Sequence, residues 1–439
     1  MTIGLLSGLH QAAAQSFKLS SLPTVGSHPV SVVAMDVNHD GKLDLICAND
    51  NTNGTLTVLT NSGGGIFSSN ATLKVGSMPN QIISADVNED GEADLISANS
   101  GTNTITVLTN NANGGFGSNA TYTVGSGAVS VAAADFNNDG YVDLICSSSG
   151  ADTFTVLTNN GSGHFSSNAV YTGTGWIIAP DVNGDGKPDA VFAGGLNTIT
   201  VFTNKGNGLL KSNGVYTVGS QPFCVTAADV NGDGKVDLIC ANLNSTTLSV
   251  LTNNGTGGFV LASSPTIGTT YAEGVIAADL NGDGKPDLIC AIYTQRELLI
   301  LTNNGNGNFN LSKTNFTSSF CVSTVAADVN NDGLLDLISA DPGNFSTSGN
   351  TNLTVLTNAT TFLPPTPTPS ATVNVQGKGI LVSWPSASAG WSLQQNPDLT
   401  TTQWCPSGYS GYTISDDGTN KSLFIALQPE NLFFRLLHP

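Results

Sequence analysis

Seven stretches of nine residues share the pattern D-x-N-x-D-G-x-x-D, and their residue types suit a hard divalent cation. Positions 1, 3, 5, 7 and 9 of the first stretch are Asp36, Asn38, Asp40, Lys42 and Asp44. The second has Asp86, Asn88, Asp90, Glu92 and Asp94, and the third Asp135, Asn137, Asp139, Tyr141 and Asp143. The fourth has Asp181, Asn183, Asp185, Lys187 and Asp189, and the fifth Asp229, Asn231, Asp233, Lys235 and Asp237. The sixth has Asp279, Asn281, Asp283, Lys285 and Asp287, and the seventh Asp328, Asn330, Asp332, Leu334 and Asp336. Positions 1, 3, 5 and 9 offer side-chain oxygens. Position 7 offers its backbone carbonyl, so its side chain is free to vary. Alternate residues of a tight loop point one way, so the oxygens of positions 1, 3 and 5 converge, and Gly at position 6 permits the sharp turn. An all-oxygen donor set of this kind predicts calcium, about one ion per loop.

A lone copy is also what a polar turn looks like, because Asn, Asp and Gly are turn formers. Seven copies that each keep all five key residues set that reading aside. The first half of the loop is similar to an EF-hand loop, but the second half is not. An EF-hand places a bidentate Glu at position 12. Here position 12 is Cys47, Ser97, Cys146, Phe192, Cys240, Cys290 or Ser339, and the last ligand is the Asp at position 9. Without that Glu, the expected affinity lies in the range of extracellular calcium modules, roughly 10⁻⁴ to 10⁻³ M, and the expected location is secreted or cell-surface.

The loops also account for the charge. The chain has 439 residues, a formal net charge of −19, and 32 acidic residues, of which 21 are the motif aspartates. The other 11 acids roughly balance the 13 Lys and Arg. Seven divalent ions would bring the net charge to −5. The acidity is thus ligand charge and does not imply a basic partner, and no basic patch exists for nucleic acid.

The loops recur at spacings of 50, 49, 46, 48, 50 and 49 residues, so the chain is an array of supersecondary units. In the unit from Ser126 to Asn168, small apolar Ala128–Ala134 leads into the third loop, Leu144–Ser147 follows it, alternating Thr153–Asn159 comes next, and a Gly-rich turn precedes Phe165 and a last strand through Tyr171. That predicts four short strands per unit and no helix. Seven such units predict an all-β, seven-bladed propeller whose Ala-rich first strands face the crowded centre. Last-strand signals follow units one to six at Phe67, Phe116, Phe165, Leu209, Phe259 and Phe309, whereas the seventh unit runs into a proline tract. The segment Phe17–Val25 is expected to supply the missing strand and close the ring.

The predicted layout is therefore a signal-peptide remnant at 1–15, the propeller at 16–360, a Pro-rich linker at 361–371 and a small C-terminal β-sandwich at 372–439. Residues 3–14 have the apolar run and the Ala12-Ala13-Ala14 end of a secretory signal, without its basic start. The linker carries Pro364, Pro365, Pro367 and Pro369. Trp384, Trp391 and Trp404 follow it, with strands expected around Ile380–Trp384, Trp391–Gln395, Leu423–Leu427 and Leu432–Leu437. No apolar run reaches the ~18 residues of a membrane span. Cys47, Cys146, Cys240 and Cys290 recur at one position of different units and read as small core residues exchangeable with Ser.

The seven-unit region resembles the FG-GAP/VCBS repeat family, also found in the head of integrin α-subunits. The loop pattern, the D-L-I strand after it, and segments such as Val156–Phe165 (VLTNNGSGHF) carry the resemblance, which covers about residues 16–358. It implies a propeller with calcium between the first and second strands of each blade. The F-G…G-A-P signature itself is degenerate here, so only fold and metal sites transfer. The C-terminal region, ending in Phe433-Phe434-Arg435-Leu436, is similar to β-sandwiches appended to secreted bacterial proteins.

Catalytic motifs are absent. The five His lack zinc-protease spacing, and there is neither a G-x-S-x-G elbow nor a P-loop. Some relatives are polysaccharide lyases, but Arg296 is the only Arg before the linker, which furnishes such a site thinly. Antiparallel topology puts the loops joining strands two to three, and strand four to the next strand one, on the face opposite the calcium loops. Most are Ser, Thr, Asn and Gly. The sixth and seventh units differ, with Tyr271, Glu273, Tyr293, Gln295, Arg296, Glu297, Phe320 and Asp341. Aromatic rings beside carboxylates and an Arg suit sugar or peptide recognition. The expected function is a non-catalytic binding or adhesion module for a glycan or protein. The alternative is a lyase-like carbohydrate-active enzyme using the same face.

Overall fold

The computed structural model describes residues 16–343 and 349–360, excepting the side chains at 118, 119, 313, 314 and 316, and outside these only the strands named below for a second unit. The chain divides into two compact units, Gln15–Ala359 and Met1–Ala14 with Thr360–Pro439. The described residues are all-β, and no helix among them is long and apolar enough to cross a membrane.

The first unit is a seven-bladed propeller, each blade an antiparallel sheet of four strands. The third blade, Ala128–Ala134, Asp143–Ser148, Thr153–Asn159 and Phe165–Thr172, shows how the sequence builds one. The first strand is small and only half buried along Ala132–Ala134, because the seven first strands crowd around the axis. The second strand is buried on both faces along its whole length, Asp143 included. It lies between the neighbouring blades, as do its six equivalents. The core is therefore a ring of apolar layers between blades: Val87, Ile96 and Val107 of the second blade pack with Val131, Leu144 and Leu157 of the third. Each fully buried Leu or Ile contributes about 1.5–3 kcal/mol. The outer strand alternates between exposed and half-buried positions.

The third strand alternates apolar and polar residues, yet Thr57, Thr106 and Thr155 are at most 5 % exposed. A third strand is covered on both sides by adjacent blades, and its Thr hydroxyls are taken up internally: Asn49 Nδ2 donates to Thr57 Oγ1 at 3.0 Å. In the fourth blade the last strand starts at Leu210 rather than Leu209; Leu210 is buried and Leu209 is 44 % exposed. That blade is also the shortest inside, with Trp176–Ile178 as its first strand and Ala190–Ala193 as its second.

The seventh blade takes Ser323–Ala327, Asp336–Ala340 and Leu353–Asn358 from the end of the repeat array and Phe17–Ser21 from its start. Phe17 pairs with Asn358 and Leu19 with Leu356, antiparallel, and a further bridge joins Thr24 to Asn352. The strand expected at Phe17–Val25 thus closes the ring, and Phe17 is buried.

The second unit holds two four-stranded sheets. One orders Ser370–Val373, Gly379–Pro385, Asn420–Ala426 and Ile414–Asp416; the other orders Leu5–Leu6, Phe433–Leu437, Ser392–Asn396 and Cys405–Pro406. The expected signal remnant (Leu5–Leu6 apart), the proline tract and the packing of Trp384, Trp391 and Trp404 lie outside the described residues.

Candidate metal loops and ligand face

Each nine-residue loop joins the first and second strands of its blade, so all seven lie at one end of the propeller. The loop wraps around its own first residue. In the fourth blade, Asp181 Oδ1 accepts the amides of Asn183, Gly184 and Asp185, and Asp181 Oδ2 accepts that of Gly186 at 2.7 Å. Asn183 Oδ1 accepts the Asp185 amide, and Asp185 Oδ1 accepts the Lys187 amide. Gly186 has φ +80°, the left-handed geometry expected at position 6. Position 4 is left-handed as well, which the sequence did not signal: His39, Glu89, Asn138 and Asn331 adopt φ near +60° there.

The aspartate at position 9 is different in kind. All seven are fully buried. Asp189 Oδ2 accepts the Val182 amide at 3.1 Å, and Asp189 Oδ1 accepts the Asn204 amide at 2.7 Å. Burial pushes the carboxyls of Asp94, Asp143, Asp189 and Asp336 up to about 6, against the backbone bonds that pull them down. Like charge from positions 1 and 5 raises Asp189 further. Each loop is thus a concentration of negative charge with a desolvated carboxylate at its base. Lysine at position 7 offsets part of it in four blades, through Lys42–Asp40, Lys187–Asp185, Lys235–Asp233 and Lys285–Asp283 at 3.0 to 3.8 Å.

These observations test whether calcium fits. Among the described residues no three His, Cys, Asp or Glu groups converge as a ready metal cluster. The fit rests on the mixed set instead, in which Asn amide oxygen and the position 7 carbonyl complete what the carboxylates begin. Asn183 Oδ1 and Asp185 Oδ1 each accept one backbone amide and keep a lone pair, whereas Asp181 Oδ1 accepts three, and hard oxygens carrying excess negative charge are what calcium takes. The residues present suit the ion.

The sequence had shown no role for the asparagine that ends each third strand: Asn61, Asn110, Asn159, Asn204, Asn253, Asn303 and Asn358. Its amide N–H holds the position 9 carboxylate, and in every blade but the second its side chain reaches across to the preceding blade; among the described residues Asn110 Nδ2 donates only to Ala93 O in its own loop. Asn253 Nδ2 donates to Val236 O in its own loop and to Val182 O in the fourth blade's loop, both at 2.8 Å. Asn159 does the same with Val142 O and Val87 O. Asn61 Nδ2 donates to Val329 O at 2.7 Å, which joins the first blade to the seventh. The repeated T-N at the end of V-L-T-N was the signal available.

On the opposite face the aromatic candidates gather in part. Tyr293 and Phe320 stack with ring centroids 4.9 Å apart, and the Arg296 guanidinium lies 4.7 Å from the Phe320 centroid. Tyr293 donates from its hydroxyl to Gly343 O, and Gln295 Nε2 donates to Thr269 Oγ1. Tyr271 is 42 % exposed and, like Arg296, has a left-handed backbone. Glu297 begins the third strand of the sixth blade, half buried. Glu273 sits on the first strand of that blade and faces a cavity at the axis. Asp341 does not belong with them. It is fully buried, and Ser318, Ser339 and Thr354 hydroxyls all donate to its carboxylate, so it presents nothing to a ligand. A second cleft, of about 190 Å³, lies between the third and fourth blades, among Asp152, Thr174, Phe192 and Phe202.

The six described cysteines are buried and unpaired, as the core reading of four of them expects. Burial raises their thiols out of reach of thiolate chemistry.

Comparison with known families matches the FG-GAP-like repeat over residues 36–97, 86–146, 181–240, 229–290 and 279–339, and the FG-GAP repeat over 127–178. No curated protein matches. Among solved structures, the chain is similar to BBS1N, crystallised in complex with ARL6DN (12 % identity, 77 % of this chain and 96 % of that one, TM-score 0.55). It is similar to a protein from Lactobacillus plantarum (16 % identity, 67 % and 86 %, TM-score 0.53). It also matches an Agrocybe aegerita lectin that recognises non-reducing terminal N-acetylglucosamine (21 % identity, 67 % and 80 %, TM-score 0.45). At these identities the likeness is one of fold.

Proposed function

The chain belongs to the FG-GAP-like repeat family, and from that premise we propose that it is an extracellular, calcium-stapled propeller that binds a carbohydrate or protein ligand without catalysis. The calcium part is supported by the seven loops, each with Asp, Asn and Asp oxygens and a carbonyl beside a buried position 9 carboxylate. Asp and Asn oxygens at positions 1, 3, 5 and 9 would hold the ion. Calcium would supply charge compensation and no redox or acid–base chemistry. Its weak expected affinity favours a millimolar, extracellular supply.

The observation that carries the binding reading is the Tyr293–Phe320–Arg296 stack with exposed Tyr271 on the face away from the loops. Elsewhere that face is mostly Ser, Thr, Asn and Gly. Stacked rings with a guanidinium over one of them, beside exposed Tyr271, give aromatic surface with cationic donors, which suits a sugar ring or a peptide. The lyase alternative is less well supported. Arg296 already lies over Phe320, and Asp341 is sealed, which leaves little to neutralise a uronate and abstract its proton.

Glycan arrays and protein pull-down, followed by affinity measurement on the hit, test the reading. F320A and R296A should each weaken binding at least tenfold with the melting temperature retained. Binding unchanged in both variants, or turnover of polysaccharide to unsaturated ends, would overturn it.

A further inference from the structure

The axis of the propeller holds a cavity of about 140 Å³, walled by the first strands of four consecutive blades and lined by Trp176, Thr226, Glu273, Ile276, Ile289 and Thr324. Two of its polar groups have no protein hydrogen-bond partner. Among the described residues nothing hydrogen-bonds or ion-pairs the Glu273 carboxylate, whose pKa is raised to about 7 by burial alone. Thr324 Oγ1 is buried with no hydrogen-bond partner. A partly desolvated carboxylate without a counter-charge and a buried hydroxyl without a partner are both unfavourable. The position of Glu273 is taken by Val30, Asn80, Val129 and Phe223 in the first, second, third and fifth blades, none of them charged.

The three features share one complement. The carboxylate needs a positive donor, the hydroxyl needs a hydrogen-bond partner, and the Trp176 indole attracts a cation across its face. The rest of the wall is apolar, which suits methylenes. At about 30 Å³ per water-sized group, the space takes four or five heavy atoms. We propose that this axial pocket is a receptor for a primary ammonium group on a short alkyl stem, supplied by a free alkylamine or by a lysine side chain. It goes beyond the stack proposed above, and either site stands if the other fails.

Calorimetric titration at about pH 8.5, where the Glu273 carboxyl is ionised, tests this with n-butylammonium chloride as the probe and n-butanol as its neutral counterpart. The expected result is saturable binding of one butylammonium per chain, at least tenfold tighter than butanol. E273Q should lose it tenfold or more while R296A retains it. Nα-acetyl-lysine methylamide separates the sources. Binding as tight as butylammonium assigns a polypeptide lysine, and binding much weaker assigns a free amine. No saturation below about 50 mM, or equal affinity in the wild-type chain and E273Q, overturns the proposal. Should E273Q fail to fold, the wild-type preference for ammonium over alcohol decides, and equal binding of the two overturns it.

Discussion

Asp341 directly follows the second strand of the seventh blade, at the position where Asn49, Asn99 and Asn242 end those of the first, second and fifth. The amides donate to Thr or Ser hydroxyls of the third strand, as Asn242 does to Ser249 Oγ at 3.1 Å. Asp341 instead accepts from Ser318 and Ser339 at 2.8 and 2.7 Å, and from Thr354. Burial raises its carboxyl to about 6, against those three bonds. The folded state therefore favours the protonated acid. The stability this group contributes is complete below the unfolded value near 4 and is lost as the pH rises through about 6. D341N, which restores the residue of the other blades, should melt with the wild type near pH 4 and a few degrees higher near pH 8. A shift of about two pKa units corresponds to roughly 3 kcal/mol. Coincident melts at both pH values would show that the carboxylate is not destabilising.

At the scale of the elements, the strands were legible and the ties between blades were not. Four strands per unit, the loop between the first two and the closing strand at Phe17 all follow from local signals: turn residues, apolar runs and a count. What Asn159 does could not be read that way, because its side chain bonds Val87 O, 72 residues earlier in the preceding blade. The buried face of Thr155 is hidden for the same reason, since the neighbouring blade covers it. In the candidate ligand face, residue types marked the region, but only packing separates sealed Asp341 from the Tyr293–Phe320 pair. The asparagine ties carry a prediction of their own. N159A and N253A should each cost about 1–3 kcal/mol, because two buried carbonyls lose their donor. Denaturant unfolding of the propeller measures it. Stability within about 0.5 kcal/mol of wild type in both variants would show that the ties between blades do not carry load.

For the whole molecule, a chain with a net charge of −19 places 21 of its 32 acids in seven loops at one end of the propeller, where their carboxylates repel one another. The asparagine ties run through those same loops, so an ion that relaxes a loop also steadies the joint to the next blade. At free calcium about 100 times the dissociation constant, each site would add roughly 2.7 kcal/mol, and at a level equal to it about 0.4 kcal/mol. Summed around the ring, even the smaller figure reaches roughly 3 kcal/mol, a large part of a typical ~5–15 kcal/mol margin. The most direct measurement is the number of calcium ions bound per chain at saturating millimolar calcium, by equilibrium dialysis of chelator-stripped protein. One ion per D-x-N-x-D-G-x-x-D loop predicts close to seven, with D185A and D233A each removing one. A saturated stoichiometry of two or fewer would contradict the account.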